Sequence, residues 1–411
     1  MNLPIRILAC GLAAGLLLGR PVAAQTDSTR ISLPEAVEAA WRKATQSAEV
    51  AGQSRRARAE QTAAGAFWAA PPALELSHRD DRLQSNTGAR ETEVGVAVPL
   101  WLPGQRAART EAAAAEAAAA VAAETAGRLR VAGLVRDAAW EVSFRQTELQ
   151  QTEAHATALD VLAKDVDRRV AAGELARSDA LAASAERLAS SALASQARQR
   201  LRVARSNWTA LTGLSLLPAL PTDLGKSIDG RVIASDDHPA MRLAASTVEL
   251  ARRRLDAVKA SNRSSPEFIT RLRQDVSGRG DPTSNSIGFA IRVPFGTADR
   301  NEPLLAAALT ELEVAQAAER EQRDRLQGDL ETARGAAEAA AQELADEEVR
   351  ARLLRERAAL IQTSFRAGET SLPDTLRALT AASQAEASLA RQQAALGLAQ
   401  ARLQQALGLL P

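Results

Sequence analysis

Tyrosine is missing from the sequence, cysteine occurs once, and only four lysines are present, at Lys43, Lys164, Lys226 and Lys259. A single cysteine rules out a disulfide framework and a cysteine-built metal centre. Aromatics make up only 3% of the chain, so a large globular core filled by bulky rings is not available. Basic and acidic residues nearly cancel at a net charge of +1, which removes the electrostatic basis for binding nucleic acid. The three histidines, His78, His155 and His238, are scattered, with no H-E-x-x-H or other paired ligand spacing. Asp236-Asp237-His238 is the one cluster resembling a metal site, and its place before Pro239 reads better as a turn and helix N-cap. Gly-rich phosphate loops and a Ser–His–acid constellation are also lacking. The sequence therefore predicts no catalytic residue, no cofactor and no metal.

What is abundant is alanine, in runs such as EAAAAEAAAAVAAETA at 111–126. Such runs form helices readily and fill little volume, so neighbouring helices can approach closely. The first residues read as a leader instead. Arg6 gives a basic start, residues 7–19 an apolar stretch, and Val22-Ala23-Ala24 a small-residue cleavage site before Gln25. That stretch is shorter than the roughly 20 residues a spanning helix needs. Residues 1–24 are expected to be a signal peptide whose removal takes Arg6 and Arg20, leaving a charge of −1 and an exported protein. Ile7-Leu8-Ala9-Cys10 loosely resembles a lipobox, but Arg6 leaves almost no apolar core upstream. Cys10 is read as part of the discarded leader.

The remainder is written twice, 195 residues apart. VAAGELARSDAL at 170–181 returns as FRAGETSLPDTL at 365–376, and the same offset takes Pro99 to Pro294 and Gly213 to Gly408. Repeats of this kind decide the architecture. The spacing predicts a first repeat at 25–213, a Pro-, Gly- and Asp-rich joint at 214–238, and a second repeat at 239–411. In the first repeat, helices are expected at 32–66, 104–170 and 175–212, with strands at 72–81 and 91–99. In the second, helices are expected at 239–262, 303–366 and 371–409, with strands at 266–275 and 285–294. The strands show period-two alternation: Ile287, Phe289, Ile291 and Val293 oppose Ser286, Gly288, Ala290 and Arg292.

A helix of roughly 65 residues is about 100 Å long, far beyond an ordinary domain, so it must pack lengthwise. Leu389, Leu396 and Leu403 stand at heptad spacing and predict a coiled-coil seam. Each strand has the length of a tilted membrane strand. Four strands with one apolar face cannot close a barrel alone, and open edges are not tolerated in lipid. Membrane barrels need about eight strands or more, so other copies must complete the ring. Three copies supply twelve. Phe67, Trp68, Trp101, Phe268, Phe289 and Phe295 cluster in or beside the strands, as interfacial aromatics do. Ordinary packing at the ends of soluble hairpins is the plainer alternative.

With these features in place, the chain resembles the TolC-like outer-membrane efflux proteins. The resemblance is carried by RRVAAGELARSDALAASAE at 168–186, SFRAGETSLPDTLRALTAA at 364–382, the endings WTALTG at 208–213 and QQALGLLP at 404–411, and the duplicated element order. It implies a mainly α fold with a small β part. Tandem long helical hairpins would build a periplasmic α-barrel, and four strands per chain would join a twelve-stranded outer-membrane barrel. It also implies a homotrimer in contact with outer-membrane lipid, a periplasmic adaptor protein and an inner-membrane transporter as partners. The transporter would be of the resistance-nodulation-division type, since AAGELARSDAL reads closest to the heavy-metal branch. Type I secretion is the alternative duty, and a structural periplasmic coiled coil the alternative class. The absent tyrosines depart from the family's usual membrane girdle.

Two turns are the candidate functional residues. Gly173 and Gly368 permit tight reversals between long helices. In the family such reversals form the periplasmic tip, where an adaptor docks and the channel constricts. Glu174, Asp179, Glu369 and Asp374 would then place carboxylates at the constriction, able to favour or gate cations. Helix capping by the aspartates and a solvated turn role for the glutamates are the competing readings.

Overall fold

A computed structural model describes residues 31–220, 235–261, 263–295 and 298–411. The expected leader 1–24, Cys10 included, and residues 221–234 of the joint lie outside the described residues. Helix α1 spans Leu33–Lys43 and α2 Thr45–Gly65, followed by strands β1 (Ala73–Asp80) and β2 (Arg90–Pro99). Then come α3 (Gln105–Ala171) and α4 (Arg177–Thr212). A single 3-10 turn at Ser235–Asp237 leads into α5 (Pro239–Ala260), β3 (Glu267–Val276), β4 (Ser284–Arg292), α6 (Ala298–Arg366) and α7 (Leu372–Ala406). From α2 onward, each element of the first series has a counterpart about 195 residues later: α3 ends at Ala171 and α6 at Arg366, while α4 begins at Arg177 and α7 at Leu372.

Three expectations are corrected. The helix expected at 32–66 is broken at Ala44, whose extended backbone ends α1, and α2 restarts with the Ser47 hydroxyl on the Ala44 carbonyl at 2.7 Å. The break lets α1 turn onto α3 and α4. A Ser32–Glu35 capping box starts it, and Val37 and Trp41 pack on Val131, Val135 and the buried Trp208. The second correction concerns α7. Leu389, Leu396 and Leu403 are only half-buried, and the buried line is Ala378, Ala382, Ala385, Ala390, Gly397 and Ala401. Small residues win because they let α3 come close: a Cβ on Gly397 would lie 2.1 Å from the Trp140 ring. The helix expected from 303 also starts earlier, carrying Pro303 inside it.

The long helices run lengthwise as a wall. Along one stretch the neighbours are α2, α3, α5 and α6; along the other they are α4, α3, α7 and α6. At 67 residues, α3 reaches about 100 Å and belongs to both stretches. The four strands form one antiparallel sheet in the order β1-β2-β3-β4, so β2 and β3 join the two series. Strands β1 and β4 are open edges.

Candidate functional site

The sheet separates two chemistries across its thickness. Its register aligns Leu74 with Val96, Val96 with Thr270, and Thr270 with Phe289, while the next row joins Leu76, Val94, Leu272 and Ile287. A third row joins Val98, Phe268 and Ile291. Alternation puts these side chains on one face. That face is bare: Leu74 is 74% exposed, Ile287 65% and Phe289 70%. A continuous apolar face of this extent is not stable against water.

The opposite face is charged and paired within itself. Arg271 reaches Glu75 at 3.1 Å, Arg273 reaches Glu91 at 3.0 Å, and Arg292 reaches Glu267 at 2.7 Å. Gly95 lies between Glu75 and Arg271 in the register, and a Cβ there would meet Arg271 Cγ at 3.0 Å. The missing side chain opens the path by which Arg271 crosses β2. Ile269, an apolar residue on this charged face, is buried beside the buried Ala97, its register partner.

The aromatics gather at the helix-side end of the sheet. Phe67 and Trp68 meet edge to face at 4.4 Å, and Phe268 and Phe289 stack at 6.1 Å. Trp101 Nε1 donates to the Ala66 and Phe67 carbonyls. At the far end, Asp81 organises the β1–β2 turn by accepting from the backbone of Thr87 and Gly88 and from the Ser85 and Thr87 hydroxyls. These hydrogen bonds hold its carboxyl well below the usual carboxylate range, the Thr87 hydroxyl contributing most.

At the other extremity of the helices, the two predicted turns are built alike. Gly173 and Gly368 have φ of 80° and 78°, in the left-handed region that suits glycine. Gly173 N–H donates to the Val170 carbonyl and Glu174 N–H to Arg169; Gly368 and Glu369 repeat this with Phe365 and Ser364. This paired bonding closes a helix C-terminus in the Schellman manner. The aspartates stand at the third position of the returning helices and bond back to the N-cap residues Ala176 and Ser371, and the Ser371 hydroxyl in turn accepts from the Asp374 N–H. Asp179 accepts from the Ala176 N–H at 3.2 Å, while Asp374 bonds the Ser371 hydroxyl at 2.5 Å and Arg377 at 2.9 Å.

The glutamates differ. Glu174 pairs with Arg169 at 3.1 Å, whereas Glu369 has only Ser364 Oγ at 3.5 Å. Arg169 was not among the predicted residues, yet it ties the two turns together. Its guanidinium lies 5.0 Å from the Phe365 ring, and its Nη1 donates to the Phe365 carbonyl at 3.2 Å. Phe365 is buried in an apolar cluster with Leu159, Leu162, Val166 and Leu372. The available signal was the basic last turn of α3 beside Gly173. Gly173, Glu174, Asp179, Gly368, Glu369 and Asp374 therefore occupy two matching turns, and Arg169 and Phe365 join them. Among the described residues, no group of three or more His, Cys, Asp or Glu side chains could hold a metal ion.

No family model and no curated protein matches the chain by sequence. Solved structures do match by shape. The outer membrane protein VceC of Vibrio cholerae superposes with a TM-score of 0.71 at 17% identity, covering 92% of this chain and 96% of that one. The open-state MtrE outer membrane channel of Neisseria gonorrhoeae gives 0.73 at 17% identity, with 93% of each chain covered. The CmeC outer membrane channel of Campylobacter jejuni gives 0.72 at 11% identity, covering 98% and 94%. On its architecture, this chain takes the fold of the TolC-like outer-membrane channels.

Proposed function

We propose that the chain is the outer-membrane exit duct of a tripartite efflux pump, a conduit rather than an enzyme. The observation that carries this reading is the four-stranded sheet. Its apolar face is uncovered, its polar face is internally ion-paired, and both edges are open. Lipid is the surrounding that suits the first face, and water in a lumen suits the second. Three copies would supply twelve strands and leave no edge. The long helices would then continue below the membrane as a periplasmic tube.

In this reading the two matching turns form the pump-facing tip, where an adaptor docks. Three copies of Glu174, Glu369, Asp179 and Asp374 would ring the entrance, with Arg169 holding each pair of turns closed. The cargo is set by the inner-membrane transporter the duct serves. A transporter of the resistance-nodulation-division type exporting heavy-metal cations is the class suggested by the AAGELARSDAL segment. The test is extraction from outer membranes. Detergent-resistant trimers that shift in mobility on heating support the duct, whereas a monomer in the soluble periplasm refutes it. Deleting the gene and challenging cells with zinc, cobalt, cadmium, copper and common drugs then assigns the cargo.

A further inference from the structure

Each half of the molecule contains a joint where the end of one helix abuts the start of the next, and the two joints correspond at the 195-residue offset. In the first, Lys43 Nζ donates to the Ala210 carbonyl at 2.8 Å and to Thr209 at 3.4 Å, placing a cation on the last turn of α4. Lys43, Ala210 and Gly213 correspond to His238, Gln405 and Gly408. Both glycines have positive φ, 76° and 75°, and both give room to the basic side chain. A Cβ would lie 3.4 Å from Lys43 Cδ at Gly213, and 2.6 Å from His238 Cδ2 at Gly408.

His238 is more than nine-tenths buried, and its Nδ1 accepts from the Ala240 N–H at 3.1 Å, capping α5. A ring that accepts at Nδ1 carries its proton on Nε2 when neutral. That Nε2 is buried and faces the Gln405 backbone carbonyl without reaching good hydrogen-bond geometry. The Gln405 residue facing it is held in place, accepting from Arg136 Nη1 at 2.7 Å and donating to the Leu129 carbonyl at 2.8 Å. The neighbouring charges are largely spent on one another. Asp236 pairs with Arg323 of α6, Asp237 with Arg242 of α5, and Arg402 of α7 with Asp137 of α3. Among the described residues, Asp329 of α6 and Arg136 of α3 are the other charged groups on this side of the ring. A cleft of about 550 Å³ between α6 and α7, lined by His238, Asp329, Arg402 and Gln405, gives water a route to the ring.

We propose that His238 is a proton-operated joint between α5 and α7, the titratable counterpart of the fixed cation Lys43. When a proton from water binds Nδ1, the Ala240 N–H loses its acceptor and the α5 cap opens. The imidazolium then sits at the α7 C-terminus, where the helix dipole favours a cation and where Lys43 already stands in the other half. Burial holds His238 below the ordinary histidine range, while the Gln405 backbone carbonyl pulls it upward to a lesser extent. The joint therefore changes state on the acid side of that range.

Hydrogen exchange on the full-length, detergent-solubilised protein tests this and reads helix ends without any conductance, so its outcome is separate from the duct proposal. After correction for intrinsic rates, protection at 239–244 should fall about five-fold from about pH 7.5 to about pH 5, the effect of losing one N-cap acceptor. Protection at 45–50, beside Lys43, should not change. His238→Asn, which keeps a neutral cap, should remove the pH dependence, and His238→Lys should leave 239–244 weakly protected at both values. Unchanged wild-type protection, or the same fall in His238→Asn, overturns the proposal. If the variants fail to fold, the wild-type ring titration decides: its midpoint by NMR must coincide with the exchange midpoint, and a mismatch overturns the proposal.

Discussion

Placing an arginine at Ile287 should be far more costly than placing one at Ser286, although the two residues are adjacent and both exposed on β4. Ile287 belongs to the row of Leu76, Val94 and Leu272 near the middle of the sheet, and Ser286 projects to the ion-paired face opposite Arg273. If lipid covers the apolar face, Ile287→Arg costs about 2–4 kcal/mol per copy near the bilayer midplane. Three symmetric copies acting independently would lose on the order of 6–12 kcal/mol. Ser286→Arg meets only water and the like charge of Arg273, at a cost of about 1 kcal/mol or less. Were the sheet bathed in water on both sides, each substitution would cost about 1 kcal/mol or less. Urea titration of the protein refolded into lipid vesicles, read by the mobility shift between folded and boiled forms, measures the difference. Equal midpoints for the two variants would refute a lipid-facing row.

Four further outcomes follow from particular residues. Arg169→Ala removes the link from α3 to Phe365 and frees Glu174, so single-channel conductance and protease cleavage at 172–176 should both rise. Asp179→Asn with Asp374→Asn should shift cation selectivity if the carboxylates line the entrance, and leave selectivity unchanged if they serve only as caps. Gly397→Val drives a side chain into Trp140 and should destabilise by about 1–3 kcal/mol or more, whereas Gly328→Ala in open space on α6 should stabilise by about 0.5–1 kcal/mol; thermal melts check both. Burial also lowers His155, with Glu186 and Glu386 partly offsetting it, as burial does at His238. The unfolded chain therefore takes up protons first. The stability from keeping these rings neutral is complete above about pH 6.5 and is lost as pH falls below it, which melts across that window would show.

The element order was legible because the long helices and the alternating strands carry strong periodic signals, and because the 195-residue echo repeats each signal. The break at Ala44 was not legible, since alanine favours helix and the bend is imposed by Val37 and Trp41 seeking the α3–α4 surface. The seam of α7 was misassigned to its leucines because heptad spacing says nothing about how closely α3 approaches. Trp140 against Gly397 settles that point, and it requires both helices to be in view. At the tip, the glycines and carboxylates announced themselves by recurring. Arg169 did not, because its counterpart at the repeat offset is Ser364 and its partner Phe365 lies 196 residues away. The Lys43–His238 correspondence was hidden for a related reason: the two residue types differ, and only the carbonyls they face reveal a common place in the fold.

The most direct test of the duct is the current through a planar lipid bilayer after addition of purified full-length protein. The sheet and the helical wall predict steady, stepwise conductance from trimers, raised by Arg169→Ala at the tip. Correctly folded trimers that insert into the bilayer and pass no current, with or without that substitution, would contradict the assignment.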